Sequence, residues 1–546
     1  MNKSMTIGEY LIEQLSRHGV SHVFGIPGDY ALSFFDLMTK SDKLDIINTC
    51  DEQGAGFAAD AYARIKGLGA VCITYGVGGL KVANTTAQAF AEKSPVIVIS
   101  GAPGVKEQEK NPLLHHKVKD FNTQKKVFDE FTVASTILDD PATAFYEIDR
   151  VIHCALRYKR PVYIEIPRDM VSVPGVRDYQ HSRSGDISDP HALQEALTEA
   201  VQIINSAERP VILAGVEVHR FGLQRELVAF AEKTQIPVAT TILAKSVIPD
   251  NKSFSLGIYE GATGLKEITE YVESSDCIIF LGAFLTDLNT GIYTANVDTA
   301  RSIYATSEKL TIYHHRYDNI LFKDFLNGLS DGDIKKRTET HPVPAPPPPF
   351  HPLKGHQKMK VQRLFHNLNS FITKDNIIIA DVGDALFGAN DLYIHQDTNF
   401  LSPAYYASLG FSVPAAVGAH YANPALRAIV LIGDGAFQMT GMELSTIARY
   451  GLNPIVIVLN NEGYGTERPM LDGPFNDILP WKYSLIPEIL GRGKGFYVDN
   501  EKDFDSALRE ARDYTEDFSL IEVKIDRDDR SPALNRLTSY LAKEVK

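Results

Sequence analysis

The stretch GDGAFQMTGMELSTIARYGLNPIVIVLNN, Gly433 to Asn461, follows the apolar run AIVLI and closes on a second run, PIVIVLN. Both runs are rich in Val and Ile and read as buried parallel strands. Between them GDG turns the chain and MELSTIARYG forms a helix. A right-handed crossover sets two such strands side by side or nearly so. Asp434 and Asn461 then stand at the carboxyl ends of their strands, where open α/β sheets bind ligands. A carboxylate, an amide oxygen and a carbonyl suit Mg²⁺ shared with a phosphate. Gly433 and Gly435 let the backbone approach that phosphate. A lone GDG reads as an ordinary turn. The Asn pair that ends 27 residues after Asp434, in matched strand context, is what points to a cation.

The same kind of run recurs along the chain as HVFGIP, GAVCITYG, PVIVISG, PVYIEIP, PVILAG, CIIFLGA and NIIIAD. The stretches between are long enough for crossover helices. The pattern predicts an α/β chain with doubly wound parallel sheets. At about 150 residues per domain, the length suggests three or four domains. Two breaks divide it: VSVPGVRDYQHSRSGDISDP from Val171 to Pro190, and HPVPAPPPPFHP from His341 to Pro352. Consecutive prolines exclude helix and central strand, so the second is an extended, semi-rigid linker. The expected division is 1–180, 190–340, a linker at 341–355, and 356–546.

The net charge of −14 argues against nucleic acid as a general partner. It leaves room for a local anion site made of backbone N–H groups. No apolar run has the roughly 18 residues of a membrane helix. The start, MNKSMTIGEYLIEQL, reads as an amphipathic helix and lacks the apolar core of a signal peptide, so cytoplasm is expected. Cys50, Cys72, Cys154 and Cys277 form no CxxC, which leaves neither a disulfide framework nor a zinc site in view.

Other segments hold chemistry-bearing residues, each with a plain structural alternative. DEQGAGFAADAYARIKG, from Asp51, is a helix whose small residues allow tight packing. Glu52 at its start reads by itself as a helix N-terminal carboxylate, worth a few tenths to about 1 kcal/mol through the macrodipole. In GIPGDYALSFFD, Asp29 reads as a turn or cap residue. The pair His115–His116 in LLHH reads as loop, Glu467 as a partner of Arg468, and Leu409 in YYASLGFSVPAA as core.

Together these segments resemble the thiamine diphosphate-dependent enzymes, whose motif is GDG followed some 25–30 residues later by NN. The resemblance covers essentially the whole chain and is closest to the pyruvate, indolepyruvate, phenylpyruvate and branched-chain 2-oxo acid decarboxylases. It implies three α/β domains, an amino-terminal pyrimidine-binding (PYR) domain, a middle Rossmann-like domain and a carboxyl-terminal diphosphate-binding (PP) domain. It implies Mg²⁺ held by Asp434, Asn461 and the carbonyl of Gly463. Glu-x-x-Ala-Gly-x-Ala-Ala-Asp-x-Tyr-Ala-Arg matches the helix whose glutamate, here Glu52, bonds to N1′ of the aminopyrimidine; an apolar setting would help it share a proton. Leu409 would bend the cofactor and the Ala407 carbonyl would accept from its 4′-amino group. Thr74, Gly433, Gly435 and Ala436 complete the expected cofactor contacts.

GxPGDY, the His-His pair and the Glu six residues after the metal Asn match the non-oxidative decarboxylases. Asp29, His115, His116 and Glu467 are then expected to relay protons as aldehyde leaves. Thr466, Leu386 and Leu288 stand where pyruvate-specialised relatives carry bulkier or aromatic side chains, which implies a roomier pocket for branched, aromatic or longer 2-oxo acids. Asp384, in DVGD, replaces a more usual Thr and lines the site or turns the chain. Leu534, Leu537 and Leu541 share a helical face that docks on the surface or, by family analogy, forms a lid. The family also implies a homodimer or homotetramer with active sites at the subunit interface. The rival readings are a carboligase of acetolactate-synthase type and a non-catalytic thiamine diphosphate-binding protein.

Overall fold

The computed structural model describes residues 5–176, 187–353, 357–395 and 399–545. Half of the polar break expected between Val171 and Pro190, residues 177–186, lies outside the described residues. All nine apolar runs singled out in the sequence form strands.

The first sheet contains β1 (His22–Gly25), β2 (Asp45–Asn48), β3 (Gly69–Ile73), β4 (Val96–Ala102), β5 (Ser135–Ile137) and β6 (Val162–Pro167). All its pairings are parallel, in the order β2-β1-β3-β4-β6-β5. From β1 the chain runs to β2 on one side and returns to β3 on the other. The order therefore reverses between β1 and β3, and the crevice at their carboxyl ends is where an open sheet receives a ligand. The amino-terminal segment is a helix, Ile7–Arg17, with Ile7, Tyr10, Leu11 and Leu15 buried.

The second sheet contains β7 (Pro210–Ala214), β8 (Val238–Thr240), β9 (Ser255–Ile258), β10 (Cys277–Leu281), β11 (Ser302–Ala305), β12 (Leu310–Ile312) and β13 (His315–Tyr317). Its order is β13-β12-β11-β10-β7-β8-β9. It departs from the expected all-parallel pattern at one edge, where β12 and β13 pair antiparallel. Those two strands are three residues each and joined by a two-residue turn, too short for a crossover helix.

The third sheet contains β14 (Asn376–Ala380), β15 (Asn399–Leu401), β16 (Arg427–Gly433), β17 (Ile455–Asn460), β18 (Lys494–Val498) and β19 (Ser519–Lys524). It is parallel throughout, in the order β15-β14-β16-β17-β19-β18. The two strands of the opening motif are neighbours, with Gly433 opposite Leu459. That register brings Asp434 level with Asn460, one residue short of Asn461. The sheet's order reverses between β14 and β16. The segments at the ends of these strands, Asp381–Asp384 and Gly433–Ala436, flank the crevice.

One compact unit takes in the first sheet together with residues 413–425 and 440–450; a second holds the other two sheets. Between His341 and Leu353 there is neither helix nor strand, as the prolines require.

Candidate active site

In the unit built on the third sheet, a cavity of 260 Å³ opens at the reversal point. Val382–Ala385, Gly433–Ala436, Leu459, Asn461 and Gly463–Glu467 line it. GDG, expected as a turn, instead ends β16 and opens a helix at once, Asp434–Thr440; the helix expected over MELSTIARYG follows it as a 3-10 turn, Gly441–Glu443, and Leu444–Arg449. Asp434 is 1% exposed, and its two oxygens accept from the N–H of Gly435 at 2.8 Å and of Glu462 at 2.6 Å. Burial pushes its carboxyl up to about 6, against the pull of those N–H groups. A carboxylate placed this way gains from a cation.

The Asn461 amide closes on Asp434 and Gly463 with its oxygen facing them. That oxygen lies 3.2 Å from Asp434 Oδ1 and 2.8 Å from the carbonyl oxygen of Gly463. Three oxygens in that arrangement repel one another. Reversing the amide would turn two of these contacts into hydrogen bonds, but a hard cation at the centre selects the oxygen-inward orientation. Gly433 also fits a bulky anionic group. It lines the cavity, and a Cβ built on it meets no atom within 4 Å, so any side chain there would take space from the cavity. The residues present therefore fit a diphosphate carried on a divalent cation.

The loop that follows β15 reaches the same cavity. Ala407 has φ of +60°, the left-handed region that non-glycine residues rarely occupy. Ala407 and Leu409 both face the cavity. Asp381, fully buried, fixes this loop: it accepts from the N–H of Gly410 at 3.0 Å and of Ser412 at 2.8 Å. Burial pushes it up to about 6. Asp384 is on the cavity wall and also accepts from the N–H of Ser531, at 3.0 and 3.2 Å, just before the helix Pro532–Val545. Leu534 of that helix is fully buried and lines the cavity, and Leu537 packs beside it on Phe387. The leucine face seen in the sequence is thus docked, with its first member at the site.

Of the three residues expected to set pocket size, only Thr466 is on the wall. Leu386 is not: it is 1% exposed within the core that includes Leu364 and Phe365. Asp384–Asn390 is a helix, so Leu386 is turned well away from Asp384 around its axis. Leu288 packs on the cluster of Phe387, Leu534 and Leu537 and does not line the cavity either. Arg530, which the sequence reading passed over, is the single cation among the described lining residues, beside Asp384, Asp434, Glu467 and Asp529. Its segment, DRDDRSP, looks like a solvated charge run, so nothing local marks it.

The other unit brings together a second group at the carboxyl ends of its strands. Asp29 follows β1, Thr74 follows β3 and Glu52 follows β2, where it opens the helix Glu52–Lys66. His115 Nε2 lies 2.8 Å from Asp29 Oδ2, and the Tyr30 ring stacks on His115 with centroids 4.8 Å apart. The His116 ring is 4.7 Å from that of His115. His116 has φ of +67°, and its buried Nδ1 has no hydrogen-bond partner among the described residues. Arg168 Nη1 is 3.7 Å from Asp29 and pairs with Glu107, whose carboxyl it holds below the usual range. Thus Asp29, His115 and His116 form one cluster. Glu467, the fourth expected relay residue, belongs to the other unit and lines the cavity there.

Thr74 Oγ1 is buried without a partner among the described residues, as an atom awaiting a ligand would be. Glu52 Oε2 lies 2.9 Å from the Lys81 ammonium. The corner that presents Glu52 is pinned by Glu443, which accepts from the N–H of Cys50 and Asp51 at 3.1 Å.

Three family models match the chain: thiamine pyrophosphate enzyme, N-terminal TPP binding domain, over residues 5–126; the central domain over 197–321; and the C-terminal TPP binding domain over 381–523. Indole-3-pyruvate decarboxylase of Azospirillum brasilense is 37% identical over 543 residues, covering 97% of each chain. Alpha-keto-acid decarboxylase of Mycobacterium avium is 33% identical, covering 96% of this chain and 94% of its own. Pyruvate decarboxylase 1 of Pisum sativum is 32% identical, covering 98% and 93%. The chain belongs to the thiamine diphosphate-dependent enzymes, and among them to the 2-oxo acid decarboxylases.

Proposed function

We propose that the protein converts 2-oxo acids to aldehyde and CO₂ without oxidation, and favours branched, aromatic or longer-chain acids over pyruvate. The observation that carries this reading is the convergence of the Asp434, Asn461 and Gly463 oxygens at the reversal point of the third sheet. Asp434, Asn461 and the Gly463 carbonyl hold Mg²⁺, and the Gly433–Ala436 backbone receives the diphosphate. Leu409 supports the coenzyme and the Ala407 carbonyl accepts from its amino group. When bound, thiamine diphosphate supplies the carbon nucleophile and the electron sink for loss of CO₂.

The chain's own residues then manage protons and solvent. Glu52 holds a proton at N1′ of the aminopyrimidine, with Thr74 beside it. Asp29 fixes the His115 ring, and His115, His116 and Glu467 exchange protons with the departing product. Leu534 and Val382 give the cavity apolar walls that keep a substrate carboxylate poorly solvated. Substrate breadth rests on Thr466, since a methylene or two in such a pocket is worth only about 1–3 kcal/mol.

In this reading residues 1–180 are the PYR domain, 190–340 the middle domain and 356–546 the PP domain. The enzyme works as a homodimer or homotetramer in which Glu52 of one subunit serves the cavity of its partner. It acts in the cytoplasm; among the described residues no helix is long and apolar enough to cross a membrane. The test is aldehyde release from pyruvate, 4-methyl-2-oxopentanoate and phenylpyruvate, with and without thiamine diphosphate and Mg²⁺. Aldehyde that depends on both, with higher kcat/KM for the two larger acids, is expected. Acyloin without free aldehyde would overturn the reaction, and a strong preference for pyruvate would overturn the specificity.

A further inference from the structure

A second cavity, of 330 Å³, lies beneath the proline-rich segment and shares no lining residue with the first. Part of its wall is apolar: Leu256, Ile258, Leu265, Ile268 and, from the linker, Val343. Lys245, Glu260, Asn390 and Arg536 are among its polar lining residues. Both cations there are held by acceptors of the protein. The Lys245 ammonium donates to the carbonyls of Asn390 at 2.9 Å and Leu392 at 2.7 Å. Arg536 donates to the Thr263 carbonyl at 2.9 Å and to Asp391 at 3.2 Å.

One acceptor on the wall is left over. Asn390 is 7% exposed; its Nδ2 donates to Glu260 Oε1 at 2.6 Å, and its Oδ1 has no partner among the described residues. A buried amide oxygen left this way is costly, and a donor from a ligand would relieve it. Carboxylates also outnumber cations on the wall, Asp250, Glu260, Glu267 and Asp391 against Lys245 and Arg536. A ligand suited to these walls brings hydrogen-bond donors and a positive charge at one end and an apolar body at the other. A second carboxylate would meet repulsion, so this is not a second place for the 2-oxo acid.

We propose that this cavity binds a small primary amine with an apolar alkyl or aryl tail, its ammonium donating to Asn390 Oδ1 and Glu260 and its tail lying on Leu256, Ile258 and Leu265. Burial and Asp391 push Glu260 up to about 7, while Arg536 and Lys245 pull it down. Asp250 and Glu267 are the other charged groups on the wall. Binding of an ammonium therefore tightens as pH rises through 7, where Glu260 ionises and the amine keeps its charge.

Calorimetric titration of the holoenzyme with 2-phenylethylamine tests this without reference to turnover, so failure of the decarboxylase reading leaves the result intact. Saturable binding of one amine per chain is expected, tighter at pH 8 than at pH 6 by several-fold and at most about tenfold, with no binding of 3-phenylpropionate. Glu260→Gln should weaken it at least tenfold and flatten its pH dependence. Leu265→Trp, at the half-exposed rim, should block it while aldehyde production continues unchanged. No heat with the amine, equal affinity for the acid, or unaltered binding in both variants would overturn the proposal.

Discussion

Glu443 offers a direct way to ask whether the placement of Glu52 matters. It is 2% exposed, and its carboxylate takes the N–H of Cys50 and Asp51 and the Thr446 hydroxyl, the last at 2.6 Å. Those two N–H groups immediately precede Glu52. In Glu443→Gln the amide oxygen can still face the backbone, with its nitrogen toward Thr446 Oγ1, so the shape is kept and the charge is lost. A hydrogen bond to a charged group contributes about 1.5–3 kcal/mol and a neutral one about 0.5–1.5. Two such exchanges cost about 2 kcal/mol. If that energy orients Glu52, it corresponds to roughly a 30-fold fall in kcat/KM. The assay is initial-rate aldehyde release from a saturable 2-oxo acid, paired with urea unfolding of the same preparation. The expected result is a lower kcat with KM little changed and stability down by about 2 kcal/mol. A folded Glu443→Gln enzyme with kcat/KM within twofold of wild type would refute the reasoning.

Two further outcomes follow from buried groups. Glu165 is fully buried in β6, accepts from the Tyr163 hydroxyl at 2.5 Å, and is pushed by burial up to about 7. Its folded value lies above the unfolded one of about 4.3, so the neutral form is favoured in the fold. Stability from this group is complete below about pH 4.3 and is lost as pH rises to 7, by about 3 kcal/mol in all. Glu165→Gln, which keeps an acceptor for Tyr163, should therefore gain on wild type in urea midpoint between pH 4.5 and 7.5; a constant difference would contradict this. Leu534→Ala removes a fully buried side chain that both docks the carboxyl-terminal helix and walls the cavity. It should lower kcat and increase proteolysis near residue 534 with a local loss of about 2–5 kcal/mol; unchanged turnover and protection would count against the helix as part of the site.

The apolar runs made most of the fold legible, because strands buried on both faces write themselves as unbroken Val and Ile. The edges were less so. β19, SLIEVK, hides behind Glu522, whose charge interrupts the run and is answered inside the protein by Asn460 at 2.8 Å and Ser484 at 2.9 Å. β12 and β13 are too short to show a period. At the site, Asp434 and Asn461 could be read because each ends a recognisable strand. Asp381, Glu443 and Arg530 could not, because what makes them matter lies far off in the chain: Gly410 and Ser412 for the first, Cys50 and Asp51 for the second, and a cavity wall for the third. Leu386 lies off the cavity wall for a simpler reason. A pocket position inferred from resemblance carries no helical phase, and here the helix turns that side chain into the core.

The account depends most on a cation joining Asp434 and Asn461 to a diphosphate. Equilibrium binding of thiamine diphosphate to the apoprotein, followed by intrinsic fluorescence with and without Mg²⁺, measures that directly. Saturable binding that needs the metal, and that falls at least 100-fold in Asp434→Ala while the variant keeps its fold, is the predicted result. Binding of equal strength without a divalent cation, or in the variant, would contradict it.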